Sequence, residues 1–257
     1  MNHFVRKMPV VQQDHSRDGK RKTNRLYQTS TMTALLCAVY DGETTMAELV
    51  EHGDFGIGTF DALDGELILL DGVVRQFREG GQATEVAPDV KTPFACATFF
   101  EPEQTVRIDR PVSKHEFEEI VNRMVGNDNL FAAVRITGTF EDMEARTVFR
   151  QFYPYPPMLD VVKLQPTFKL GSTEGVLMGF RTPQYMQGVN VAGYHLHFLT
   201  SDKQRGGHVL NYRVLEGTLE VATMSDLEVD LPRSKEFAQA DLNPADLHEA
   251  ILVAEGG

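Results

Sequence analysis

The sequence predicts a mixed α+β fold in which hairpins, not alternating strand and helix units, build the sheets, and three observations carry that prediction. Asp-Gly pairs at 64–65 and 71–72 separate β-rich runs in GDFGIGTFDALDGELILLDGVVRQF, which is a strong short-range hairpin signal. Helical periodicity is confined to a few separate segments. The Gly-x-Gly of GDFGIGTF is not followed by a helix-forming run, so the phosphate-binding turn that opens a Rossmann fold is missing.

Within Gln28 to Asp41, Met32, Leu35, Leu36 and Val39 recur at helical spacing, with Ser30 or Thr31 available as N-cap and Gly42 as a stop. Met46 to Glu51 reads as a short second helix ended by Gly53. The Asp-Gly segment follows as a β-meander, and Phe94 to Phe100 is an apolar strand candidate. Ser113 to Met124 returns to helix, with Ser113 and Glu116 in capping-box relation and Phe117, Ile120, Val121 and Met124 on one face. Leu130–Phe140 and Glu144–Gln151 read as two strands. Tyr153-Pro154-Tyr155-Pro156-Pro157 is the densest proline cluster, and fixed φ with no donor amide interrupts regular structure there. A short helix near Met158–Leu164 comes next. Strands recur from Thr167 through Leu231, with turns at Gly171, Pro183, Gly206-Gly207 and Glu216-Gly217. Asn243 as N-cap with Pro244 at the first helical position opens a last helix to about Ala254.

The expected organisation is a mobile basic arm at 1–25, an N-terminal domain at 26–157 and a C-terminal domain at 158–257. The arm holds the only local basic excess, Arg17, Lys20, Arg21, Lys22 and Arg25. The sequence contains no internal repeat and no low-complexity tract.

Composition narrows the function classes. The 257 residues are 42% hydrophobic and 24% charged, an ordinary globular profile. A formal net charge of -12 argues against nucleic acid and anionic membranes as partners, since both draw affinity from clustered Lys and Arg. The apolar run Met8 to Val11 after Arg6 and Lys7 is far shorter than the roughly 7–15 residues of a signal-peptide core, which leaves a cytoplasmic location as the expectation. Cys37 and Cys96 sit in apolar contexts, TALLCAVY and PFACATFF, where a thiol behaves as a small hydrophobe. Neither a disulfide nor a nucleophilic thiol is expected.

The segment GYHLHFLTSDKQRGGHVLNY is the most informative for chemistry. His195 and His197 are separated by one residue in a strand-like run, and side chains at i and i+2 of a strand share a face. His208 follows Gly206-Gly207, where the chain would return on the neighbouring strand of a hairpin. Three neutral imidazoles with an open fourth position form a catalytic Zn²⁺ pattern. The competing reading is a His-x-His pair that decorates a polar sheet face. His3, His15, His52, His115 and His248 read as structural or solvated. On local pattern alone, Arg146 after Glu141-Asp142-Met143-Glu144 reads as a surface ion pair, and Glu66 after Asp64-Gly65 as a solvated strand residue.

Taken together, YQTSTMTALL with VYDG, GDFGIGTFDALDGEL, ATFF, LFAAVRITGTF, ARTV, GYHLHF and GGHV resemble the ordered signature blocks of the acetolactate decarboxylases, from about Leu26 to the C-terminus. The resemblance implies a zinc-dependent carboxy-lyase that converts 2-acetolactate to (R)-acetoin and CO₂, with one zinc per chain and no organic cofactor. It implies two α/β domains on mixed sheets, the C-terminal one a half-open, barrel-like sheet that carries the metal, in a homodimer. It assigns the zinc ligands to His195, His197 and His208, catalytic roles to Arg146, Glu66 and the tail glutamate Glu255, with Glu249 as its substitute, and a place beside the site to Thr59. Acetolactate loses CO₂ to leave an electron pair that needs a sink, and the sequence offers no evident Schiff-base motif, so a metal would supply it. Arg146 would orient and stabilise charge; Glu66 or Glu255 would transfer the proton, and either could donate it.

Two other readings compete. A cupin-like metal dioxygenase or isomerase also uses a His-x-His strand pair, but that pattern adds a glutamate a few residues on, where this chain has Leu199-Thr200-Ser201-Asp202. A non-catalytic metal-binding module would hold zinc without turning over a keto acid.

Overall fold

A computed structural model describes residues 6–7, 23–243 and 251. The strands in chain order are β1 (Arg6–Lys7), β2 (Arg25–Thr29), β3 (Thr44–Thr45), β4 (Phe55–Thr59), β5 (Glu66–Leu70), β6 (Val73–Phe77), β7 (Ala83–Glu85) and β8 (Lys91–Thr92). They continue as β9 (Ala95–Thr98), β10 (Gln104–Ile108), β11 (Val112–Ser113), β12 (Phe131–Arg146), β13 (Thr167–Thr182), β14 (Gly193–Thr200), β15 (Gly206–Met224) and β16 (Asp226–Asp230). The helices are α1 (Met32–Leu36), α2 (Met46–Glu51), α3 (Lys114–Val125), α4 (Met158–Val162) and α5 (Lys235–Gln239). The protein is thus a β-rich mixed α/β fold. No described helix is long and apolar enough to cross a membrane.

Two seven-stranded sheets form the body. One runs β16-β2-β9-β4-β5-β6-β7, and the other runs β1-β10-β15-β12-β13-β14 with β11 attached to β15. A further pairing of β14 with β15 makes β12, β13, β14 and β15 a closed cycle of paired strands. Both sheets draw strands from either side of Tyr153–Pro157: β12 lies between β13 and β15, and β16 pairs in parallel with β2.

Alternation along the strands sorts side chains into layers. Ile68 and Leu70 of β5 join a cluster with Met178, Phe180 and Leu199 of the second sheet, while Leu67 and Leu69 point the other way, toward Met46 and Leu49 of α2. On β14, Leu196 and Phe198 pack with Phe117 and Val121 of α3. The positions of opposite parity, Glu66 on β5 and His195 and His197 on β14, therefore face the layer between the sheets. Burial on both faces explains why β5 reads as a continuous apolar run after its first residue.

Several predicted elements hold. The Asp-Gly segment forms the meander β4-β5-β6, and Asp71-Gly72 joins Leu70 to Val73 with positive φ at both turn residues, 53° and 77°, as a type I′ turn requires. α2 begins and ends where predicted, and Thr45 and Glu48 form a reciprocal capping box. α3 buries Phe117, Ile120, Val121 and Val125. Its Ser113 cap accepts from the Glu116 amide, whereas the Glu116 carboxylate pairs with Arg110. No disulfide joins Cys96 to Cys37; Cys96 is buried, and burial pushes its thiol up to about 12.

Other boundaries shift for identifiable reasons. The first helix is limited to Met32–Leu36, because Arg25–Thr29 is held as a strand between β16 and β9 and left-handed Ser30 and Ala38 (φ 62° and 64°) bracket the helix. The two strands expected around Glu141–Met143 are a single strand, β12, kinked by register shifts between Phe140 and Glu144 with Asp142 at φ 53°. It stops at Arg146, not at Gln151. Gly206-Gly207 begins β15 and is not the turn itself. A side chain at Gly206 would strike the Phe198 carbonyl and the Phe77 ring. The predicted C-terminal helix falls outside the described residues apart from Ile251, and the arm does so apart from Arg6–Lys7, which pairs with β10, and Thr23 to Arg25.

Two glycine substitutions should separate turn strain from close approach. Gly72→Ala meets no atom, so only its left-handed φ is penalised, and urea unfolding should show a loss of about 1 kcal/mol. Gly206→Ala has to push β15 off β14, and it should lower the urea midpoint by a larger amount.

Candidate active site and metal centre

The register of five strands assembles the site. His197 of β14 lies opposite His208 of β15, and Arg146 of β12 lies opposite His208 on its other side. Residues directly opposite in an antiparallel ladder share a face. His195 joins them from two positions along β14. From the other sheet, Thr59 of β4 is opposite Glu66 of β5, so these two side chains also share a face.

The three imidazoles converge. Their ring centroids lie 5.1, 5.0 and 5.4 Å apart, and one nitrogen from each falls within 4.8 Å of the others. The hairpin expected from Gly206-Gly207 thus does bring His208 to the His-x-His pair. All three rings are buried, His197 completely. Burial, with the Arg146 charge adding, pushes His195 down to about 3. Burial, His195 and Arg146 also push His197 well below the usual range, against the opposing bond to Leu67. Both rings are therefore neutral near pH 7, the form that offers a lone pair to a metal.

His197 also shows which nitrogen does so. Its Nδ1 lies 2.9 Å from the carbonyl of Leu67 on β5. A carbonyl only accepts, so Nδ1 carries the proton and Nε2 bears the lone pair. That Nε2 is fully buried and has no hydrogen-bond partner, although an unsatisfied buried polar atom costs about 1–3 kcal/mol. A divalent ion held by the trio would give that nitrogen a partner. The residues present therefore fit a metal.

Arg146 and Glu66 are not the surface groups that local pattern suggests. Arg146 is 3% exposed and Glu66 is nearly as buried. Within the acidic stretch, Glu141 pairs with Arg213 at 3.1 Å. Glu66 Oε2 lies 3.6 Å from His197 Nε2. Thr59, also buried, donates its hydroxyl to the Gly65 carbonyl at 2.8 Å, which commits its proton and leaves the oxygen as an acceptor. The turn that presents Thr59 and Glu66 is tense, with Ala62 and Leu63 both left-handed at φ 58° and 53°. Asp64 anchors that turn to Arg78 at 2.6 Å and to Arg150 at 3.4 Å. Burial raises the Asp64 carboxyl, but the two guanidinium partners outweigh it and hold it below the ordinary range.

Thr59, Glu66, Arg146, His195 and His208 line one cleft with Met32, Leu35, Leu63, Phe94, Val148 and Met158. Sequence reading places none of the apolar six at the site, since helical or strand periodicity marks them only as core. Glu255 and Glu249, proposed from the tail, lie outside the described residues, as do His3, His15 and His248. His52 stacks on Tyr27 with centroids 3.6 Å apart, and His115 is on the surface near Glu119. Asp202, where a cupin-like pattern would want its acid, is exposed and accepts from Thr200 and from the Gln204 amide.

Comparison with known proteins adds an independent line. The profile of the alpha-acetolactate decarboxylase family matches residues 26–244. An alpha-acetolactate decarboxylase from Klebsiella aerogenes is 48% identical over 237 residues, 92% of this chain and 91% of that protein. One from Bacillus licheniformis is 43% identical, covering 92% of this chain and 93% of that protein. The crystal structure of the alpha-acetolactate decarboxylase of Bacillus subtilis strain 168 superposes with a TM-score of 0.89 at 42% identity, covering 91% of this chain and all of that one.

Metal analysis tests the trio directly. Dialysed protein should retain about one divalent ion per chain, the stoichiometry of a single three-histidine site. His195→Ala, His197→Ala and His208→Ala should each lose it.

Proposed function

Because the chain belongs to the alpha-acetolactate decarboxylase family, we propose that it decarboxylates 2-acetolactate to (R)-acetoin and CO₂, using a zinc ion held by His195, His197 and His208. The observation that supports this most strongly is the convergence of three buried imidazoles within 4.8 Å in a cleft that also presents a buried arginine and a buried glutamate. Nitrogen donors without a usable thiolate favour zinc over harder ions.

When bound, the metal supplies Lewis acidity for the electron pair released as the bond to CO₂ breaks. The protein's own groups do the rest. The guanidinium of Arg146 is permanently charged and planar, suited to binding the substrate carboxylate through two parallel hydrogen bonds and turning its C–C bond out of the plane of the ketone. Glu66, on the facing sheet, or Glu255 would deliver the proton that C2 receives after CO₂ has left. Delivery from one side only would protonate a single face of the enediolate and give one acetoin enantiomer. Thr59 would accept from the substrate hydroxyl, since its own proton is committed to Gly65. The buried cleft excludes bulk water, which keeps the carbanion-like carbon from indiscriminate protonation. Glu255 remains the second acid of this reading.

Purified protein given 2-acetolactate should form acetoin of one hand, resolved by chiral chromatography, and zinc should be the metal recovered. Chelation should abolish turnover and added zinc should restore it; turnover that survives complete metal removal would overturn the reading. Arg146→Ala should keep its zinc while kcat falls about 10²–10³-fold, the range for loss of one charge-stabilising group. Glu66→Gln should lower kcat about 10²–10⁴-fold, as loss of a general acid does. The homodimer belongs to the same reading, and sedimentation equilibrium should return twice the chain mass.

A further inference from the structure

The cleft has two chemically opposed walls. Thr59, Glu66, Arg146, His195 and His208 make the polar one, whereas Met32, Leu35, Leu63, Phe94, Val148 and Met158 make a wall with no polar side chain. The reaction proposed above occupies the polar wall with the carboxylate, hydroxyl and ketone oxygens of the substrate. Its alkyl groups are left for the other side.

The apolar residues are not equally rigid. Leu63 belongs to the left-handed turn clamped through Asp64, Phe94 is tied by its amide and its carbonyl to Thr92 and Thr59, and Val148 is β-branched and stiff at χ1. Met32 and Met158 differ. Each is the first residue of a short helix, α1 and α4, and these helices pack on one another. Both side chains are buried and unbranched, with three rotatable bonds and a polarizable sulfur, which lets them re-pack around an added methylene where leucine or valine would clash. The yielding part of the wall is therefore this methionine pair, contributed by two segments 126 positions apart (158 − 32).

Resting on the proposed reaction, we infer that Met32 and Met158 are specificity-determining residues, and that they set how large an alkyl substituent the enzyme accepts on its 2-hydroxy-3-oxo acid substrate. Truncation enlarges the alkyl subsite. Replacement by leucine, of similar volume but branched, stiffens it.

The test compares kcat/KM for 2-acetolactate with that for its 2-ethyl homologue in wild type, Met32→Ala, Met158→Ala, Met32→Leu and Met158→Leu. The ethyl-to-methyl ratio should rise about tenfold in each alanine variant, the range a single methylene commands in an apolar pocket, and should fall in the leucine variants. The two substrates are measured on one preparation, so any unfolded fraction cancels from the ratio. A second readout needs no turnover: 2-hydroxy-2-methylbutanoate and 2-ethyl-2-hydroxybutanoate, which lack the ketone, should raise the thermal midpoint, and the alanine variants should shift the preference toward the larger acid. An unmoved ratio in all four variants, with 2-acetolactate still consumed, overturns the methionine assignment alone. A wild-type enzyme inert to both keto acids overturns the proposed reaction, and the inference falls with it.

Discussion

The bond between the His197 ring and the Leu67 carbonyl is the point on which the site depends. It joins a side chain of one sheet to the backbone of the other, so the orientation of a metal-binding imidazole is set by how the sheets stack. Its cost and its use are linked. The carbonyl fixes the ring as the Nδ1–H tautomer, and the opposite nitrogen is thereby left buried without a hydrogen-bond partner. A ladder carbonyl cannot be altered by a side-chain change, which makes the orientation a property of the fold and not of one replaceable residue.

Around that bond the site is a layer, not a loop cluster. Glu66, His195 and His197 occupy positions of one parity on their strands, and the neighbours of opposite parity fill separate hydrophobic clusters against α2 and α3. A slip of one residue on β14 would turn both imidazoles outward and send leucine and phenylalanine into the cleft. The packing of Leu196 and Phe198 behind the sheet therefore holds the histidines in place as effectively as anything they touch directly.

Much of this was legible beforehand. The Asp-Gly turns, the capping box of α2, the apolar face of α3 and the convergence of three histidines all follow from local rules that the tertiary structure leaves undisturbed. Arg146 and Glu66 were invisible to the same rules, because an arginine after acidic residues and a glutamate after a turn look solvated until another sheet covers them. Only the resemblance to a family singled them out. The first helix was overestimated at its C-terminal end, where Val39 keeps helical spacing although left-handed Ala38 has already stopped the helix at Leu36. Residues Met32 and Met158 carried no chemical signal, since a cleft wall and a core are written in the same apolar alphabet.

The parallel pairing of β2 with β16 carries a consequence for how the protein is made. Tyr27 hydrogen-bonds Asp230, 203 positions further on, an interval a ribosome needs about 10–40 s to traverse at usual elongation rates. Throughout that time the first sheet lacks its edge strand β16, and β12, once made, waits first for β13 and then for β15, leaving open ladders on a nascent polypeptide. Completion of the first sheet therefore awaits nearly complete translation, although its other six strands are all made within the first hundred residues.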